Sequence, residues 1–222
     1  MALSRGPKIV TSGLVLALDA ADKNSYRGSG TSWFDLSGNN RIGILTNGPT
    51  FNSGNNGYIT FDGVDDFTDI TFLPAQTDSP LSVFSWVYLT SLPTLGVASG
   101  IWGHYGVGNC HFEMYSAYSR LRLGNVNNSS LPVFSVGVWT YAGFTSTGSD
   151  HIYYVNAQSQ ATWSGTTGSI LGNPSSPVHM VGRSDAARTW IGRIATTSVY
   201  TKTLSSTEVL QNYNATKTRF GL

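Results

Sequence analysis

One cysteine, two glutamates and charged residues at 11% of 222 positions leave this sequence short of the materials for several kinds of chemistry. With Cys110 alone, no disulfide can form within the chain, which excludes a stapled secreted framework; a single thiol of this kind belongs in a core. Lys and Arg (13) nearly balance Asp and Glu (12), giving a formal charge of +1 with no basic run to follow a phosphate backbone, so nucleic acid is not expected as a partner. No stretch approaches the roughly 20 apolar residues of a membrane-crossing helix, and no membrane partner is expected. The start, Met1-Ala2-Leu3-Ser4-Arg5-Gly6-Pro7-Lys8, is basic but has no apolar segment behind it, so the chain is expected to be made in a cytoplasm without export. His104, His111, His151 and His179 lie too far apart for zinc-ligand spacing, and there is no Gly-x-Ser-x-Gly nucleophile elbow. The Asn-x-Ser/Thr triplets at Asn127, Asn128 and Asn214 carry little meaning in a chain that is not exported.

What the sequence has instead is small polar residues. Gly, Ser, Thr and Asn fill about two-fifths of it, well above ordinary usage. They cluster as turn formers between short apolar runs, as in Ser37-Gly38-Asn39-Asn40, Asn47-Gly48-Pro49 and Ser53-Gly54-Asn55-Asn56-Gly57. Leu14 to Leu18 reads as a core strand. Leu81 to Leu89 gives the strongest strand pattern, β-branched and aromatic residues alternating with small polar ones so that one face meets the core. Residues 111–115, 120–123, 139–144, 151–155, 161–163, 179–182 and 191–200 continue the pattern. Only the end of the chain has helical character: Ser205 and Glu208 form a capping box, and Val209, Leu210 and Tyr213 follow at helical spacing toward Thr216. A dozen or so strands and one short C-terminal helix predict an all-β fold, a two-sheet antiparallel sandwich filling residues 1–222 as a single domain.

Several blocks are similar to a known family. Leu14 to Ala21 with Ser25-Tyr26 and Trp33 to Asn39, then Phe61-Asp62-Gly63-Val64-Asp65-Asp66-Phe67, Phe84-Ser85-Trp86-Val87, Tyr153-Tyr154-Val155-Asn156 and the closing Leu204 to Ala215, resemble in order the concanavalin A-like, laminin-G-like jelly roll found in bacteriophage structural proteins. The family often places Gly after the Tyr-Val-Asn turn, where this chain has Ala157. The resemblance implies a jelly-roll sandwich and a virion protein, a surface capsid decoration or a tail or fibre component. Other virion proteins and further copies of itself would then be its partners, with exposed loops and chain ends making the contacts. The fold also hosts lectins and glycosidases, so function has to be argued from a site.

A glycosidase of this fold needs two carboxylates flanking the sugar bond. Glu208 is committed to the helix cap, and Glu113 has no carboxylate beside it on its strand face, so an enzyme is not expected. Asp62, Asp65 and Asp66 are the candidate calcium ligands, with turn capping as the competing role; no other cofactor is implied. For ligand binding, Trp102, His104 and Tyr105 in one glycine-flanked segment and Arg183, Asp185 and Trp190 in another offer rings for stacking and polar groups for reading hydroxyls, on host-surface glycan or on a protein partner. Trp102 and Trp190 suit sandwich packing equally well. The leading expectation is thus a non-enzymatic virion protein, and the alternative a lectin-like carbohydrate-binding module.

Overall fold

In the computed structural model, the described residues are 8–71, 76–77, 80–104, 110–167, 169–171, 178–183 and 188–222. Within them the chain forms β1 (Leu14–Asp19), β2 (Ser32–Phe34), β3 (Ile42–Thr46), β4 (Thr50–Asn52), β5 (Tyr58–Asp62), β6 (Phe67–Thr71), β7 (Gln76–Thr77), β8 (Leu81–Leu89), β9 (Ser99–His104), β10 (Cys110–Met114), β11 (Ser119–Leu123), β12 (Val126–Leu131), β13 (Trp139–Ser146), β14 (Asp150–Val155), β15 (Gln158–Ser164), β16 (Ser169–Leu171), β17 (Val178–Val181), β18 (Ile191–Tyr200) and helix α1 (Ser206–Thr216). A short 3-10 turn, Lys217–Phe220, follows the helix.

Two large antiparallel sheets form the sandwich. The first runs β15-β14-β13-β8-β18-β5-β4. β18 is long enough to hold β5 along Ile191–Ile194 and β1 along Thr196–Tyr200. The second runs β12-β11-β10-β9-β17-β6-β3-β2, while β7 and β16 pair with each other alone. Alternation along each strand sends one set of side chains between the sheets. Phe112 of the second sheet meets Phe144 and Tyr153 of the first edge-on, with ring centroids 6.1 and 5.9 Å apart. Trp33, Trp102, Trp190, Ile101 and Leu121 fill the same core. Cys110 lies in it too, and burial pushes its thiol up to about 12.

The first sheet differs from the alternating expectation, because both of its faces are covered. Leu81, Val83, Val87 and Leu89 of β8 point into the core, but Phe84 and Trp86 on the opposite side are equally buried. They belong to a second cluster with Tyr141, Tyr154, Tyr200, Val209 and Phe220, assembled where α1 and the 3-10 turn pack on the outside of the sheet. Trp86 stacks on Phe220 at 4.2 Å and donates its indole N–H to Thr216 Oγ1 at 2.7 Å.

The capping box forms as the sequence indicates: Ser205 Oγ accepts the Glu208 N–H, and Glu208 Oε2 accepts the Ser205 N–H at 2.9 Å. Leu210 is not on the packed face, however; it is exposed, and Asn212 is buried in its stead. The amide earns that position by hydrogen bonding. Its Oδ1 accepts the Val10 N–H at 2.7 Å, its Nδ2 donates to Tyr200 Oη at 3.0 Å, and that hydroxyl donates to the Val10 carbonyl at 3.1 Å, tying the N-terminal segment to the helix. At the β14–β15 hairpin, Asn156 and Ala157 both have positive φ (50° and 62°), the conformation of a two-residue turn that favours glycine at the second position.

Candidate functional site

With α1 covering the first sheet, the outer face of the second sheet is the broad surface left to carry a site. Its most organised part is the β10–β11 hairpin. Cys110, Phe112 and Met114 on one strand and Leu121 and Leu123 on the other point inward. The alternate positions therefore point outward, and the strand register sets His111 opposite Arg122 and Glu113 opposite Arg120. At the hairpin end the Tyr115 N–H donates to the Tyr118 carbonyl at 2.8 Å, and the two rings stack at 4.7 Å, inclined by 21°. Two cross-strand pairs, His111 with Arg122 and Glu113 with Arg120, are thus continued past the strand ends by the stacked Tyr115 and Tyr118 to form a ladder.

Glu113 is the centre of this arrangement. It is fully buried although it projects from the outer face. Its Oε1 faces His111 Nδ1 at 3.1 Å and Arg188 at 3.2 Å, and its Oε2 accepts Arg120 Nε at 2.8 Å. A carboxylate withdrawn from water requires such pairing, since an unpartnered one costs several kcal/mol. The Arg120 guanidinium also lies 5.2 Å from the centre of the Tyr115 ring. Burial raises the Tyr115 hydroxyl above its usual value; the negative charge of Glu113 adds to this, and Arg120 and Arg188 oppose it. Tyr115, Tyr118 and Arg122 are half-buried, so parts of each meet solvent. Arg122 pairs with no carboxylate among the described residues. On the side of β9 the facing residues are Gly100 and Gly103, which add no side chains over the ladder.

The residues singled out from the sequence are distributed differently. Trp102 and Trp190 are fully buried, which corrects their expected role as sugar-stacking rings. Trp102 pairs with Phe112 on β10 and Val181 on β17, an inward register; Trp190 donates to the Arg193 carbonyl at 3.3 Å. Arg183 does reach the outer face, bridging to Thr189 with its guanidinium 4.8 Å from the centre of the Phe67 ring. His104 ends β9 opposite His179 of β17. Tyr105 and Asp185 lie outside the described residues.

Asp62, Asp65 and Asp66 do come together, with carboxylate oxygens within 4.8 Å of one another. Two of the three carboxylates also cap the turn: Asp62 Oδ1 accepts the Val64 N–H at 2.8 Å, and the buried Asp66 accepts the Asp62 N–H at 3.0 Å. Burial, more than its acidic neighbours, raises the Asp66 carboxyl above the usual range. The cluster is sterically able to hold a hard cation, and its hydrogen bonds also account for it as a turn.

Sequence reasoning weighed Glu113 only as half of a missing catalytic pair and His111 only as a zinc ligand, and passed over Arg120 and the two tyrosines. The signal was present as a mirror pattern, His-x-Glu-x-Tyr over 111–115 and Tyr-x-Arg-x-Arg over 118–122, in which opposite charges recur with strand period on neighbouring strands.

Residues 53–210 match a laminin G-type family model described as the concanavalin A-like lectin/glucanases superfamily. The chain belongs to this family. No curated protein matches the sequence. Among solved structures, the chain is similar to Trypanosoma rangeli sialidase in complex with sialic acid, with a TM-score of 0.70 and 16% identity, covering 97% of this chain and 36% of that one. It is similar to the ligand-binding domain of botulinum neurotoxin serotype D in complex with N-acetylneuraminic acid (TM-score 0.71, 12% identity, 92% of this chain, 51% of that one). The binding domain of Paraclostridial Mosquitocidal Protein 1 is a third (TM-score 0.64, 14% identity, 90% and 52%). The chain spans between about a third and a half of those structures, and at these identities the likeness is one of fold.

Proposed function

We propose that this chain is a non-enzymatic glycan-recognition module that reads sugars on the outer face of the second sheet. The observation that carries the reading is the β10–β11 ladder: a stacked tyrosine pair beside arginines whose positions are fixed by a buried carboxylate. Tyrosines present an apolar ring face with a polar tip, the combination that suits the alternating faces and hydroxyls of a pyranose. Glycosidic hydrolysis fits this face poorly. Glu113 is held by two arginines and a histidine, and among the described residues the next acid on the face, Asp69 of β6, stands three strands away in the order β10-β9-β17-β6, about 14 Å at ordinary strand spacing. Retaining and inverting glycosidases set their carboxyls about 5–9.5 Å apart. That two similar structures were solved with bound sialic acids supports a sugar ligand.

The test is a glycan array with the purified chain and with Tyr118→Ala. Binding to a defined subset of glycans, weakened about tenfold in Tyr118→Ala while circular dichroism stays unchanged, is the expected result; a stacking contact contributes about 1 kcal/mol. An array silent for the native chain would refute the reading.

The sequence blocks that resemble those of phage structural proteins favour a particle surface as the place where this module is displayed, among other virion proteins and copies of itself. Antibodies raised against the chain should label intact particles that encode it, and unlabelled particles would remove that setting while leaving sugar recognition intact.

A further inference from the structure

We infer that the ladder takes an acidic oligosaccharide, one bearing carboxylate groups, with a sugar ring on Tyr118 and an acid group on Arg122. This rests on the glycan-recognition reading above and goes further by naming the class of sugar. Arg120 and Arg122 occupy alternate positions on β11 and so share the outer face, and Tyr118, the residue just before β11, continues the same two-residue spacing. Arg120 is engaged by Glu113 at one end of its reach and lies over Tyr115 at the other. Arg122 has a different environment: it faces His111 on β10 and Asn127 on β12, with no carboxylate beside it among the described residues. A half-buried guanidinium has lost part of its hydration, and an anionic ligand would offset that loss. Its planar fork matches a carboxylate in two parallel hydrogen bonds, a geometry an ammonium group lacks.

Spacing sets the length of the ligand. Tyr118, just before β11, and Arg122 within it are four residues apart, about 13 Å if the chain is extended at 3.3 Å per residue. That distance exceeds one sugar ring, so a monosaccharide cannot engage both ends and a chain of two or more rings can. Asn127, exposed and directly opposite Arg122, adds an amide able to read a hydroxyl next to the acid.

The experiment is calorimetric titration of the intact chain with tetragalacturonic acid and with a hyaluronan tetrasaccharide, each compared with its carboxyl-reduced neutral counterpart and with monomeric galacturonic acid. Native protein and Arg122→Gln are compared, with the glycan array run alongside. Expected are at least tenfold tighter binding of an acidic tetrasaccharide than of its reduced partner, weaker binding of the monomer, affinity that falls as salt rises, and an acid-to-neutral ratio that collapses toward one in Arg122→Gln. The inference is overturned if reduced and acidic forms bind alike, if neither tetrasaccharide binds while the array shows neutral glycans bound, or if Arg122→Gln keeps the full preference; glycan recognition would survive these results. Silence from both the tetrasaccharides and the array would remove the two readings together. Native-like circular dichroism and an unchanged melting temperature of Arg122→Gln keep a folding defect from passing for loss of recognition.

Discussion

The two outer faces of the sandwich are built from the same alternating strands and put to opposite use. On the first sheet, Phe84, Trp86, Tyr141 and Tyr154 lie beneath α1, joined by Tyr213 and Phe220, and the face is a second hydrophobic core. On the second sheet, the equivalent outward positions of β10 and β11 hold His111, Glu113, Arg120 and Arg122, and what buries Glu113 is charge pairing. A face covered by aromatics gains stability from area removed from water. A face organised by a buried carboxylate gains geometry, since a matched ion pair adds little stability over a hydrophobic one but suffers badly if a partner is removed.

That contrast is broken most severely by Trp86→Ala and Glu113→Ala. Trp86 is fully buried between Tyr141 and Phe220, and truncation should cost about 3–5 kcal/mol in urea unfolding while sugar binding by the remaining folded protein stays near native. Glu113→Ala leaves Arg120 and Arg188 without their shared acceptor and should also cost about 3–5 kcal/mol, but with loss of sugar binding. If Trp86→Ala disturbed binding as much as Glu113→Ala at equal folded fraction, the faces would not be separable in this way.

A smaller effect is expected at the start of α1. Ser205→Ala removes the hydroxyl that accepts the Glu208 N–H and should cost about 1 kcal/mol. The Lys202 ammonium, and then the Ser205 N–H, hold the Glu208 carboxyl below its usual range. A carboxylate with a lowered folded value stabilises fully above the unfolded value, about 4.3, and loses that contribution as pH falls through the folded one. The stability gap between native protein and Glu208→Gln, measured by denaturant unfolding, should therefore be widest at neutral pH and shrink in acid. A gap that is constant with pH would show that the charge of Glu208 contributes nothing.

How much of this could be read beforehand depended on which physical rule governed each residue. The cap at Ser205 and Glu208, the strand Leu81–Leu89 and the burial of Cys110 follow from local pattern, and the structure has all three. The second covered face did not follow, because period-two alternation says only that Trp86 points away from Val83 and Val87; a helix more than a hundred residues later decides whether that side is wet. Leu210 and Asn212 were misjudged for a related reason. Hydrophobicity favoured the leucine, while the buried position went to the side chain able to bond Val10 and Tyr200. Trp102 and Trp190 suited a sugar face and sandwich packing equally well by sequence, and strand register and burial decide for packing. The ladder was legible only once His111, Glu113, Arg120 and Arg122 were read across two strands at once.

The mildest change is Ala157→Gly, on the hairpin at the border of the aromatic face. Asn156 adopts its left-handed backbone with support, its Oδ1 accepting the Tyr141 N–H at 2.9 Å and its own N–H donating to the Tyr141 carbonyl at 2.8 Å. Ala157, at φ 62°, adopts the same region with a Cβ that costs about 1–2 kcal/mol there. Glycine relieves that strain but loses about 0.5–1 kcal/mol in chain entropy, so the net gain should be near 1 kcal/mol or less, seen as a small rise in melting temperature. Sugar binding should not move, because the hairpin joins β14 to β15 at the edge of the first sheet and the ladder stands on the second. A lower melting temperature would mean that the methyl group, 8% exposed among the aromatics, contributes more by packing than its backbone costs.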